Sequence, residues 1–202
     1  MGADPSSELL AEPGALDGVR FTVIDVETSG LKTHSHRLLQ IGLVMTSADG
    51  TIIDRWSTFV RPRWWRIARV GPTEIHGISR RDLRPAPTLP EVFDELAPRL
   101  DGAVVTAHNV AFDWAFLQRG AERAHHELSA SQRLCTLQLS RSLDPSHERS
   151  HRLADLCERY GVHNARAHNA LADAEATAAI LPHLLREAGV TTRHDLDQRL
   201  ER

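Results

Sequence analysis

Two carboxylates set two positions apart in an otherwise apolar run constrain this chain more than any other feature. In Val23-Ile-Asp-Val-Glu-Thr-Ser-Gly30, Asp25 and Glu27 belong to a strand-like segment running from Phe21 to Glu27. Alternate residues of a strand project from one face, so the two acids are forced together. At ~4 Å, like charges repel by roughly 4 kcal/mol at an effective dielectric of about 20, and a buried strand does not keep both ionised without a cation or a shared proton. A strand end with both acids in water is the alternative reading, and this pair alone does not choose between them.

The rest of the chain supplies a frame for that strand. Two further runs, Leu38 to Thr46 and Thr51 to Val60, are separated by Ser47-Ala48-Asp49-Gly50, a turn suited to an antiparallel hairpin. Helical spacing of Leu89, Val92, Phe93 and Leu96 follows Thr88 as an N-cap, and Ala103 to Ala107 is a short buried strand. Asn109 then caps a helix with Val110, Trp114 and Leu117 on one face, ending near Gly120 or Arg123. Helices from Ser150 to Tyr160 and from Ala170 to about Glu187 are each stopped by a glycine. Strands first, then alternation with helices, predict an α/β fold with a mixed central β-sheet flanked by helices.

A length of 202 residues with 41% hydrophobic and 25% charged content suits one domain, 19–190. Residues 1–18, with Pro5, Gly14 and Gly18 among small and acidic residues, read as a mobile N-terminal leader, and 191–202 as a short polar C-terminal tail, helical or frayed. Apolar runs are broken well short of the roughly 20 positions a membrane helix needs, and the acidic N-terminus does not match a secretory signal. No membrane is expected, and a cytoplasmic setting follows. Cys135 and Cys157 lack partners at metal-ligand spacing and read as reduced thiols. A net charge of −3 argues against bulk electrostatic binding of nucleic acid, while leaving room for an enzyme with bound cations.

Two other segments carry acids where strands meet helices. In Thr106-Ala-His-Asn-Val-Ala-Phe-Asp113, the acid falls in the first helical turn, where the dipole favours an anion and the strand aims it at the end of the sheet. In His168-Asn-Ala-Leu-Ala-Asp173, five residues correspond to about 500° of helix rotation, so His168 and Asp173 do not share a helical face. His168 therefore sits before the helix, with Asn169 as cap, on a movable loop beside a rigid Asp173. Singly, Asp113 is an ordinary first-turn acid and His168 a cap neighbour.

Together the three segments resemble the DnaQ-like (DEDDh) 3′→5′ exonucleases, the family of the DNA polymerase III epsilon-subunit exonuclease domain. The matches are D-x-E-T-x-G from Asp25, H-N-x-x-F-D from His108 and H-x-x-x-x-D from His168, in the family's order. Leu38–Val44, Glu74–Ile78 and His151–Cys157 resemble the connecting segments, and the likeness covers about residues 19–187. It implies an RNase H-like fold in which Asp25, Glu27, Asp113 and Asp173 hold two divalent ions, with Asp25 bridging. Hard oxygen ligands and a phosphate substrate favour Mg2+ or Mn2+. The resemblance makes His168 the acceptor of the attacking water's proton. It places Val26, Thr28, Ser29, His76, His108, Asn109 and Phe112 around the terminal nucleotide, with Leu31 as a wedge between the last two bases. Cys135-Thr-Leu137 and Gln40 depart from the family pattern, where Asp and Glu are common.

The resemblance implies nucleic acid with a free 3′ end as the partner, with DNA, in proofreading or repair, as the favoured substrate. RNA trimming of the RNase T or oligoribonuclease kind is the alternative within the enzyme class, and a non-catalytic nucleic-acid-binding module the alternative outside it. A DNA polymerase subunit is a candidate partner, but the tail is short for tethering, which favours a stand-alone nuclease. Arg61, Arg63, Arg66 and Arg69 surround Trp64-Trp65; these residues suit base stacking, although packing over the sheet is the preferred reading.

Overall fold

The computed structural model describes residues 15–63, 69–130, 132–164 and 166–201. Strands β1 (Phe21–Thr28), β2 (Leu38–Thr46) and β3 (Ile52–Phe59) form an antiparallel meander. The hairpin turn closes as its residues demand, with Gly50 at φ 92° and its N–H donating to the Ser47 carbonyl at 3.1 Å. Helical turns α1 (Thr73–His76) and α2 (Arg80–Leu83) precede α3 (Leu89–Leu100), whose Thr88 and Glu91 form a reciprocal capping box. Strand β4 (Val104–Ala107) leads into α4 (Val110–Ala124), and β5 (Arg133–Cys135) into α5 (Thr136–Ser142). Helices α6 (Leu153–Tyr160), α7 (Ala170–Glu187) and α8 (Arg193–Asp197) complete the order.

The sheet order is β3-β2-β1-β4-β5, with β4 parallel to both β1 and β5, so the sheet is mixed as expected. Its two faces divide the core by the alternation of the strands. Ile24, Val26, Ile41 and Leu43 pack with Val92, Phe93, Leu96 and Leu117 of α3 and α4. Phe21, Val23 and Val44 pack on the other face with Ala174, Ala178, Leu181 and Leu185 of α7. Asp25 and Glu27 share the parity of Phe21 and Val23, so their side chains point to the α7 face. No helix among the described residues is long and apolar enough to cross a membrane.

Several expectations change at their edges. Helix α4 ends at Ala124, next to the Arg123 alternative, and runs through Gly120, where a side chain would meet Phe93 and Leu38 within 3 Å; this glycine serves close packing and does not stop the helix. Helix α6 starts at Leu153, three residues later than predicted, since Ser150 hydrogen-bonds Asp155 ahead of the first turn. Strand β5 was absent from the sequence reading because three residues are too few to show a period. The leader is corrected from Ala15 onward: Ala15 bridges Thr192, and Leu16 packs into the α7-side core. The leader reading for 1–14 lies outside the described residues, as do Trp64, Trp65 and Arg66. The C-terminal tail is helical where α8 forms, held by a Thr192–Asp195 capping box and fully buried Leu196.

Candidate active site

The acids converge where the parallel ladder ends. Strand β4 pairs with β1 only as far as Val23 opposite Thr106, so the later part of β1 has a backbone edge without a strand partner there. A buried N–H must find an acceptor, and Val26 donates to Asp113 Oδ1 at 3.1 Å. The first turn of α4 therefore fastens its carboxylate to the strand between Asp25 and Glu27. Asp113 is buried, at 4% exposure.

Helix α7 brings the fourth acid from the opposite face. Gly42 lies directly across from Asp25 in the β1–β2 ladder. A Cβ at Gly42 would stand 2.2 Å from the Ala170 carbonyl carbon and 2.3 Å from Leu171 N, so the backbone of α7 rests on the sheet only because this residue has no side chain. Gln40, paired across from Glu27, accepts from Ala170 N at 3.4 Å and donates to Ser57 at 3.3 Å, tying the start of the helix to β2 and β3. The Asn169 side chain caps the helix through Ala172 N, and Asp173 follows one turn in.

The histidine is built into the same turn. His168 has φ 66°, uncommon for a residue with a side chain, and its N–H donates to Asp173 Oδ2 at 2.9 Å. Asn164 donates to the other oxygen, Oδ1, at 2.6 Å. Ligand atoms of Glu27, His168 and Asp173 all lie within 4.8 Å of one another, with the histidine exposed and Asp173 buried. Asn164 was missed by the sequence reading, since it belongs to no spaced motif, and Gln40 was noticed there only as a departure.

Electrostatics records the crowding. Burial, then Asp113, Asp173 and Glu27, push the Asp25 carboxyl well above its ordinary range. Burial and the Asp173 charge raise Glu27 to about 7. Burial raises Asp113 to about 8, with Glu27 adding to the rise and the Val26 hydrogen bond opposing it. Such groups must share protons or be neutralised by cations, and a set of hard oxygen donors fits a divalent metal ion.

The predicted nucleotide-contacting residues divide in two. Leu31 stands 81% exposed, and Asn109 and partly buried Phe112 lie at the start of α4. Asn109 occupies the N-cap position at φ 88° but makes no side-chain cap bond, a correction to its expected capping role, because its backbone is left-handed and not the extended form from which a cap side chain reaches the first-turn N–H groups. Thr28 and Ser29 are buried and engaged, Thr28 Oγ1 with Gly30 O at 2.9 Å and Ser29 Oγ with Arg37 N at 3.0 Å. The Val26 side chain belongs to the core on the face away from the acids. Both ring nitrogens of His76 are occupied, Nδ1 by Ile78 N–H and Nε2–H by the Val70 carbonyl, each at 3.0 Å. His76 thus braces its own loop, which lies on the site: a Cβ at Gly71 would be 2.5 Å from Ser29 O. His108 meets Thr136 Oγ1 at 3.1 Å, and burial lowers its pKa.

Comparison with known proteins adds an independent line. The RNase T family model, described as exonuclease, matches residues 22–181. A PolC-type DNA polymerase III of Staphylococcus haemolyticus is 32% identical over 185 residues, covering 89% of this chain and 12% of the polymerase. The corresponding protein of Halalkalibacterium halodurans is 32% identical over 168 residues, covering 83% and 11%. The chain thus spans about an eighth of these relatives' length. Among solved structures, E. coli Exonuclease I in complex with a dT13 oligonucleotide superposes with a TM-score of 0.73 at 19% identity, covering 85% of this chain and 42% of that one. A 3′-exonuclease that recognises a histone mRNA stem-loop gives 0.71 at 16% identity, covering 86% and 84%.

Proposed function

The chain belongs to the RNase T-type exonuclease family, with its RNase H-like fold, and from that premise we propose that it is a metal-dependent 3′→5′ exonuclease that hydrolyses the last phosphodiester bond of DNA and releases a nucleoside 5′-monophosphate. The observation that carries this reading is the convergence of Asp25, Glu27, Asp113 and Asp173 from three separate segments, with three of the carboxyls pushed upward, beside the His168 imidazole. These four residues would hold two divalent ions, Mg2+ or Mn2+. Bound there, the ions supply neutralisation of the acids and Lewis acidity toward water and the scissile phosphate.

The residues of the chain do the rest. Asp113 and Asp173 present fixed carboxylates because backbone N–H groups of Val26 and His168 hold them in place. His168, tethered by its own N–H yet exposed at its ring, takes the attacking water's proton on a ring nitrogen. Exposed Leu31, two residues beyond Ser29, meets the terminal bases; Asn109, Phe112 and His108 line the same end of the sheet.

Likeness to a segment of PolC-type polymerases favours DNA and keeps a polymerase subunit as a candidate partner. The shared fold of the histone mRNA enzyme keeps RNA as the competing substrate. The test is purified protein with Mg2+ or Mn2+ on 3′-end substrates of matched sequence: single-stranded DNA, duplex DNA and RNA. Stepwise release of deoxynucleoside 5′-monophosphates, faster than from RNA, supports the proposal. Faster trimming of RNA reassigns the substrate, and binding without single-turnover cleavage makes the protein a non-catalytic module.

A further inference from the structure

Although the chain as a whole is acidic, the loop that follows β1 and the helix that braces it both carry cations. Lys32 and Arg37 come from this loop, and Arg119 and Arg123 from α4. Arg123 is half-buried and its guanidinium spans the loop, donating to the carbonyls of Thr33, His34 and His36, each at 3.2 Å. Inside the loop, the His36 ring lies where a Gly30 side chain would be and accepts from Lys32 N at 3.0 Å. The segment that presents Leu31 is therefore a braced platform.

Arg37 adds one bond to that brace, its Nη1 donating to the His36 carbonyl at 2.8 Å. Arg37 and Arg119 are both exposed; burial, and then their charges, hold the Arg123 pKa below the usual guanidinium value. Glu122 pairs with Arg119 at 2.5 Å, which leaves the three neighbouring arginines with net positive charge. Gathering like charges destabilises a fold and is relieved by a bound polyanion.

The platform is joined to the site by short links. Ser29 N donates to Arg37 O at 2.9 Å, and Arg37 N to Ser29 Oγ at 3.0 Å. Ser29 is two residues past Glu27, about 7 Å along an extended strand. Along the chain from Glu27, Leu31 comes first and the loop cations Lys32 and Arg37 follow it.

We infer that Lys32, Arg37 and Arg119, set on the platform held by Arg123, form a track for the sugar–phosphate backbone of the substrate beyond its terminal nucleotides. The inference rests on the exonuclease reading above. The chemistry recognised is the phosphodiester anion, whether of the strand being cut or of its complement in a duplex.

The experiment compares wild type with Arg37→Gln, Arg119→Gln and the double variant. Each is assayed for kcat/KM on a dinucleotide, a single-stranded oligonucleotide and a duplex with a recessed 3′ end. Oligonucleotide binding is followed by fluorescence anisotropy against salt, with metal chelated. In the double variant, the ratio of oligonucleotide to dinucleotide kcat/KM falls about tenfold or more, and the log–log salt slope of binding flattens by about 1.4, the loss of two phosphate contacts on a single strand. A fall on single-stranded substrate assigns the track to the scissile strand; a fall confined to the duplex assigns it to the complement. A ratio to the dinucleotide unchanged for both the single strand and the duplex, or an equal loss on the dinucleotide, overturns the track. Failure of the parent reading looks different: wild type then cleaves no substrate at all.

Discussion

At Asp25 the neighbours decide the charge before any ion arrives. Burial and three other carboxylates all disfavour its ionised form, so replacing it removes a repulsion along with a ligand. Asp25→Asn is expected to reduce Mg2+-dependent turnover below detection while raising the metal-free melting temperature. Relief of ~1 kcal/mol corresponds to about 2–4 °C for a chain of this size. Full hydrolysis by the purified variant would remove Asp25 from the ligand set. His168 presents the opposite case, since its ring is exposed and its backbone carries the local hydrogen bond. His168→Ala should keep substrate affinity near wild type and lose about 10²- to 10⁴-fold in turnover, with partial rescue by added imidazole. Wild-type turnover across the pH range in that variant would mean that the proton leaves by another route.

The site exists because one helix comes down on one strand. Gly42 is the contact, cross-strand from Asp25 and under the backbone of Ala170 and Leu171. A methyl group at 42 meets main-chain atoms that have no rotamer to change, so α7 must lift and carry Asp173 and His168 with it. Gly42→Ala is expected to destabilise the fold by about 1–3 kcal/mol and to reduce kcat by about 10²-fold or more, because displacements near 1 Å are enough to spoil catalytic geometry. Denaturant unfolding and Mg2+-dependent kinetics on the same preparation check both numbers. Wild-type kcat in a folded Gly42→Ala protein would show that the α7 seat is not tight. The brace on the loop after β1 works in the same manner, with a single α4 side chain setting the position of an exposed tip.

For the molecule as a whole, the raised carboxyls link folding to pH. Glu27 near 7 and Asp113 near 8 keep protons in the folded state that the unfolded chain releases near its ordinary carboxyl pKa of ~4. Between those values the folded protein binds more protons, so its metal-free stability falls as pH rises. Thermal melts in chelator should show this decline from about pH 5 to about pH 8.5, and Mg2+ or Mn2+ should restore stability most at the alkaline end, where the ligands are ionised. Asp113→Asn should flatten the slope; an identical slope would exclude this group from the linkage. Ca2+ should stabilise as Mg2+ does without supporting turnover, because its looser coordination does not hold reacting groups in line.

Much of this was legible in residue order, and the part that was not has a common cause. The alternation of β1, the hairpin turn at Ser47–Gly50, the span of α7 and the mixed character of the sheet follow from local periods and turn chemistry, which each segment carries by itself. The acid motifs were likewise visible, since strand parity and first-turn placement are local rules. Asn164 beside Asp173, the Gln40 tie to α7, the closed ring of His76 and the arginines gathered from loop and helix were not visible. Each depends on which groups meet across distances in sequence that no period encodes. Residue order settles which side chains can do chemistry and on what elements they ride; packing settles which of them meet, because hydrogen-bond partners, burial and close backbone approach arise only when separate elements come together.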